Sequence, residues 1–141
     1  FAHHPTAIRE TLRALRAAYP ESRLWAVLEP RSNTLRRNVF ERELVDALAL
    51  ADEVVLAGVF KQESIPVAER LHPEAVVRAL VTQGRRAMLA ANVEEIVTHV
   101  SAGARAGDVV AILSNGGFDG IYEKLPARLA SQAVSAPLAN A

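Results

Sequence analysis

The residues with the most chemical capacity stand in two short polar clusters. Glu29-Pro30-Arg31-Ser32-Asn33-Thr34 sets a guanidinium, two hydroxyls and an amide beside the start of a helix, where free backbone N–H groups also attract anions. A carboxylate or a phosphate suits this set. The local sequence leaves a second reading open, in which Ser32, Asn33 or Thr34 caps the helix and Arg31 is a solvated charge. Ser114-Asn115-Gly116-Gly117-Phe118-Asp119-Gly120 holds three glycines, which let a backbone approach a ligand closely or take positive φ. An ordinary Asn-Gly turn fits the same residues. Lys61, in a third loop, reads either as a point charge for an anion or as a plain solvated cation. His3 and His4 stand together before a helix, but adjacent side chains diverge and no partner stands at ligand spacing. An N-cap or a nucleotide contact is expected there, and a metal site is not. Nothing forms an acid/base pair: Glu29 and Asp119 read as structural, and no catalytic residue is assigned.

Composition narrows the chemistry further. The chain has 141 residues, 50% hydrophobic and 23% charged, which suits one ordered domain with a single core. Sixteen basic residues balance sixteen acidic ones, so no electrostatic footprint for nucleic acid or an anionic membrane is expected. The absence of cysteine removes disulfides, thiolate metal sites and thiol nucleophiles, in agreement with a cytoplasmic protein. No apolar run approaches the roughly 20 residues that span a bilayer. The chain also lacks the G-x-x-x-x-G-K-[ST] loop that cradles ATP phosphates, so if ATP is used another domain must hold them.

Helical and strand-like segments alternate regularly, and these elements must position the polar loops. A helix is expected over 5–18, with Pro5 in its first turn and Ile8, Leu12, Leu15 and Ala18 on one face. Others are expected over 35–50, with Val39, Leu44, Ala47 and Leu48 inward, over 73–81 ending at Gly84, from the Asn92/Glu95 capping pair to 104, and over 121–129. Four short apolar runs, 24–28, 54–57, 87–90 and 109–113, read as strands covered on both faces. This rhythm predicts an α/β fold: a Rossmann-like, open, mostly parallel sheet with helices on both faces, ligands lying beyond the carboxyl ends of the strands. Residues 1–130 form that domain and 131–141 a frayed tail. The chain starts on a helix and not on Met, so it reads as a piece of a longer protein cut at a linker.

Phe1-Ala2-His3-His4-Pro5-Thr6, the Glu29–Thr34 cluster and Ser114-Asn115-Gly116-Gly117-Phe118-Asp119-Gly120-Ile121, in this order and spacing, resemble the C-terminal domain of the Mur ligases. The Pro-Arg-Ser-Asn-Thr and Ser-Asn-Gly-Gly-Phe segments favour the branch that joins a recycled cell-wall tripeptide, L-Ala-γ-D-Glu-meso-diaminopimelate, to UDP-N-acetylmuramate. His-His-Pro-Thr alone fits the L-alanine-adding branch equally. The resemblance implies a three-domain, ATP- and Mg²⁺-dependent, amide-forming ligase, whose N-terminal and central domains are the partners of this one. It implies Phe1, Ala2 and His3 beside the adenine and ribose, and Arg31, Ser32, Asn33, Thr34, Ser114, Asn115 and Gly116 facing the tripeptide. Lys61 joins that set from its loop position alone. Other classes compete: an oxidoreductase nucleotide domain, for which no G-x-G-x-x-G follows any strand; a non-catalytic Rossmann-like ligand-binding domain; and a regulatory or protein-interaction domain, which predicts an exposed apolar patch in place of a polar cleft.

Overall fold

The computed structural model describes residues 4–135. The chain opens on α1 (Pro5–Ala18), where Nδ1 of His4 accepts the Thr6 N–H at 3.1 Å as an N-cap and Pro5 presets the first turn. Ile8 and Leu12, one turn apart, are fully buried. There follow β1 (Leu24–Leu28), α2 (Glu41–Leu48), β2 (Glu53–Ala57), α3 (Pro73–Thr82), β3 (Arg86–Ala90), α4 (Val93–Gly103), β4 (Val109–Leu113) and α5 (Ile121–Ser135). Among the described residues no helix is long and apolar enough to cross a membrane.

The four strands are all parallel, in the order β3-β2-β1-β4. Leu28 at the end of β1 lies beside Leu56 of β2 and Leu113 of β4, so these strands end level with one another. Strand residues alternate between two cores. Leu24, Ala26 and Leu28 pack with α1, α2 and α3, whereas Trp25 and Val27 pack with α4 and α5. Parallel crossovers are right-handed almost without exception, which puts α2 and α3, carrying the chain outward from β1 to β3, on one face, as their shared core with α1 shows. The reversed step from β3 to β4 puts α4 on the other.

Two expected elements differ. The helix foreseen over 35–50 begins only at Glu41, because residues 36–38 are drawn into pairing with 69–71. Asn38 N–H donates to Glu69 O (2.9 Å) and Leu71 N–H to Arg36 O (3.0 Å), around a single Arg37–Arg70 bridge. Val39, expected inward, is 70% exposed, and Leu35 and Val45 are buried in addition to Leu44, Ala47 and Leu48. The last helix runs to Ser135, past the expected stop at 129 and into the stretch read as frayed. Residues 136–141 lie outside the described chain.

Candidate functional site

The strand order sets the site. The chain moves outward from β1 to β3 and then returns across the sheet to β4, so the loops after β1 and β4 leave neighbouring strands in different directions. The region between them at the carboxyl edge, the switch-point crevice of such folds, is the usual ligand position in open α/β sheets.

Glu29 occupies the floor of that crevice. It follows β1 directly, its N–H donates to Leu113 O at 3.0 Å, and its residue is only 9% exposed. Its Oε1 accepts the Ser114 hydroxyl proton at 2.8 Å and lies 3.6 Å from Nη1 of Arg31. Ser114 Oγ in turn accepts the Gly116 N–H at 3.1 Å and is hydrogen-bonded to Tyr122. Burial first, and the Glu29 charge second, push the Tyr122 hydroxyl above its ordinary pKa, and the Ser114 contact offsets part of this. A cavity of about 190 Å³ lies beside Ser114 and Tyr122, walled by Ile8 and Thr11 of α1 and Ile112 of β4.

Arg31 lies above this floor between two supports. Its guanidinium carbon is 3.7 Å from the centre of the Phe60 ring, and its side chain lies so close to Gly116 that a Cβ there would overlap it. The Phe60 loop is tied in by its own N–H donating to Pro30 O (3.0 Å) and by Arg36 Nη1 donating to Phe60 O (3.4 Å). Lys61 comes next, with left-handed backbone (φ 47°) and Nζ 5.3 Å from the same ring. Among the described residues it has no carboxylate partner. The crevice thus gathers two cations around one aromatic ring with a single carboxylate, Glu29, beside them. Its positive charge and guanidinium and ammonium donors suit a carboxylate or phosphate.

The loop after β4 is held in an unusual conformation. Phe118, Asp119 and Gly120 are left-handed in succession, at φ 47°, 48° and 78°. Phe118 sustains this because its ring is buried to 1% exposure in the core under α4 and α5.

The structure brings Arg31, Lys61, Ser114 and Gly116 to one place, with half-buried Asn115 between the last two. It places others differently. Ser32 is buried and its Oγ accepts the Leu35 N–H at 3.1 Å within a turn; because α2 begins only at Glu41, none of Ser32, Asn33 and Thr34 caps it. Asn33 and Thr34 line a separate shallow depression with Arg37, Val39 and Phe40, near His4, whose ring tilts against Phe40 at 4.6 Å. Phe1, Ala2 and His3 lie outside the described residues. Asp119 is exposed and near only Lys124 (4.0 Å) among the ion pairs. Sequence reasoning missed Phe60 and Tyr122 and undervalued Glu29. The signals were present: a carboxylate closing a wholly apolar strand, an aromatic beside the candidate lysine, and a tyrosine in the first turn after the glycine-rich loop.

Residues 1–116 match the family model for the Mur ligase glutamate ligase domain. The chain is 39% identical over 137 residues to UDP-N-acetylmuramate–L-alanyl-γ-D-glutamyl-meso-2,6-diaminoheptandioate ligase of Escherichia coli K12, covering 96% of this chain and 28% of that protein. It is 32% identical over 126 residues to UDP-N-acetylmuramate–L-alanine ligase of Burkholderia thailandensis, covering 89% of this chain and 27% of that protein. The crystal structure of a murein peptide ligase from Psychrobacter arcticus superposes with a TM-score of 0.73 at 34% identity, over 92% of this chain and 26% of that one. The chain therefore spans just over a quarter of the length of these relatives. With its parallel β3-β2-β1-β4 sheet and its polar switch-point loops, the chain belongs to the Mur ligase family and is a C-terminal domain of that family.

Proposed function

We propose that this chain is the C-terminal domain of an ATP-dependent ligase that joins L-Ala-γ-D-Glu-meso-diaminopimelate to UDP-N-acetylmuramate in the cytoplasm, and that its switch-point crevice binds the tripeptide. The observation that carries the reading is the pair of cations, Arg31 and Lys61, set against one ring beside Gly116, with Glu29 the one carboxylate paired with either of them among the described residues. The tripeptide bears several carboxylates, which such a pair complements; L-alanine bears one. The higher identity to the tripeptide-adding relative, 39% against 32%, points the same way.

In this reading the domain contributes position. ATP, when bound to the ligase, activates the muramyl carboxylate for attack. The sequence holds no G-x-x-x-x-G-K-[ST] loop to cradle its phosphates. ATP phosphates and Mg²⁺ are left to the central domain, with Phe1, Ala2 and His3 the residues assigned toward the nucleotide. Arg31, with a bidentate fork, grips one carboxylate of the peptide, and Lys61 supplies a point charge to another. Ser114, Asn115 and Gly116 border the peptide on the β4 side. Fixing the amine in this way lowers the barrier without any of these groups exchanging a proton.

The test is steady-state kinetics of the whole ligase with the tripeptide and with L-alanine as amine substrates. The tripeptide is used and L-alanine is not. Arg31→Ala raises the tripeptide KM by roughly 10- to 100-fold, the range expected for loss of a charge-assisted hydrogen-bonded pair, and leaves the KM for ATP in place. An unchanged tripeptide KM rejects the clamp.

A further inference from the structure

Phe60 is a large aromatic residue that belongs to neither hydrophobic core. It is half-buried in the loop after β2, and what covers it is charge: the Arg31 guanidinium carbon at 3.7 Å from its ring centre and the Lys61 ammonium at 5.3 Å. A ring kept for packing alone would join the apolar clusters, as neighbouring Val59 does at the edge of the α1–α3 side. The backbone ties this loop to the Arg31 loop twice, through Phe60 N–H to Pro30 O and Arg36 to Phe60 O. The ring is therefore held at a fixed place relative to the guanidinium.

We propose that Phe60 is a positioning residue for the tripeptide site: its ring face, together with the close backbone of Gly116, fixes the plane of the Arg31 guanidinium so that a pair of its N–H groups meets a substrate carboxylate. This rests on the acceptor reading above and adds a residue to it. An arginine side chain is otherwise free about several bonds, and a bidentate grip needs its plane defined. Glu29, 3.6 Å from Nη1, holds one end of the group. The ring below and Gly116 beside it remove the remaining rotation. The requirement is for a π face, not merely for apolar volume, because the face attracts the cation as well as supporting it.

Two measurements test this together. In the 141-residue chain, the Arg31 side-chain proton signals are shifted upfield by the ring current of Phe60. Phe60→Leu abolishes the shift and Phe60→Trp retains it, while the backbone amide spectra of both variants stay folded. In the whole ligase, Phe60→Leu raises the tripeptide KM about fivefold with kcat and the KM for ATP unchanged, and Phe60→Trp restores it to within about twofold. A wild-type Arg31 signal at its unperturbed position overturns the proposal, and so does a tripeptide KM that Arg31→Ala raises but Phe60→Leu leaves alone. If Arg31→Ala leaves that KM unmoved, the acceptor reading itself falls and this proposal falls with it, so the two failures are told apart by the Arg31 variant.

Discussion

The two edges of the sheet are built on opposite principles. At the amino-terminal edge charges are mutually satisfied. One Asp108 oxygen accepts from Nη2 and Nε of Arg23 (2.6 and 3.0 Å), Nε1 of Trp25 (2.9 Å) and the Arg105 N–H (3.0 Å). Asp52 accepts from Arg16 and the Leu24 N–H, both at 2.8 Å, and Glu53 lies within 3.8 Å of Arg23 and Arg86. The left-handed turns entering β3 and β4 are taken by Gly84 and Gly107, at no steric cost. At the carboxyl edge left-handed backbone falls on Lys61, Phe118 and Asp119, and of the two cations Arg31 and Lys61 only Arg31 lies near a carboxylate among the described residues, Glu29 at 3.6 Å. The fold thus places dense pairing at one edge, and strain with an unpaired cation at the other, where the proposed ligand enters.

The largest expected effect breaks the stable edge. Asp108→Ala leaves the Trp25 indole N–H and the Arg105 N–H without their acceptor and strips Arg23 of its principal partner. Urea unfolding of the variant is expected to show a loss of about 3 kcal/mol. The tripeptide KM of the ligase stays unchanged, because the residue lies at the far edge from the crevice. Burial raises the Asp108 carboxyl, but the bonds from Arg23, Trp25 and Arg105 outweigh it and hold the group below its ordinary value; Asp52 is lowered in the same way, by Arg16 and Leu24. The unfolded chain therefore binds more protons in this range. Stability is fully present above the ordinary carboxylate pKa and drains away as pH falls through the folded values. Asp108→Asn flattens that slope; an unaltered slope would remove Asp108 from the account.

Next comes the strained edge, where stability and function should separate. Lys61→Gly relieves a left-handed residue, worth about 1 kcal/mol, and adds unfolded-state freedom of similar size, so stability changes by no more than about 0.5 kcal/mol. Tripeptide affinity nevertheless falls with the lost charge. A variant that loses several kcal/mol of stability would show that Lys61 is structural, and the contrast between the edges would narrow.

The sequence spoke clearly wherever structure is local. The limits of α1, β1 and β4 follow from a capped, proline-led helix and from five-residue apolar runs closed by turns, and each is observed at the expected residues. It misled over 35–40, where Leu35 and Val39 continue the spacing of the true helical face that begins at Leu44. The pairing of Asn38 with Glu69 and of Leu71 with Arg36 joins segments some thirty residues apart, which no local period contains. The site was half legible for the same reason. Arg31, Lys61 and Ser114 stand out by type and loop position, whereas Glu29, Phe60 and Tyr122 gain meaning only once the order β2-β1-β4 sets three loops side by side. Ser32 shows the converse: its hydroxyl was noticed as a binding group, and its nearest demand is the Leu35 N–H.

The smallest expected effect concerns the charge state of the strained edge itself. The tyrosinate absorbance step that Tyr122→Phe deletes should lie above the ordinary tyrosine range, because burial first and the Glu29 charge second disfavour the phenolate. A group whose pKa is raised on folding supports the fold below its unfolded value, near 10, and withdraws that support as pH rises through the folded value. Glu29→Gln removes the neighbouring charge and moves the step down; Ser114→Ala removes the one contact that favours the phenolate and moves it up. If Glu29→Gln leaves the step in place, Glu29 is not a charged neighbour of Tyr122.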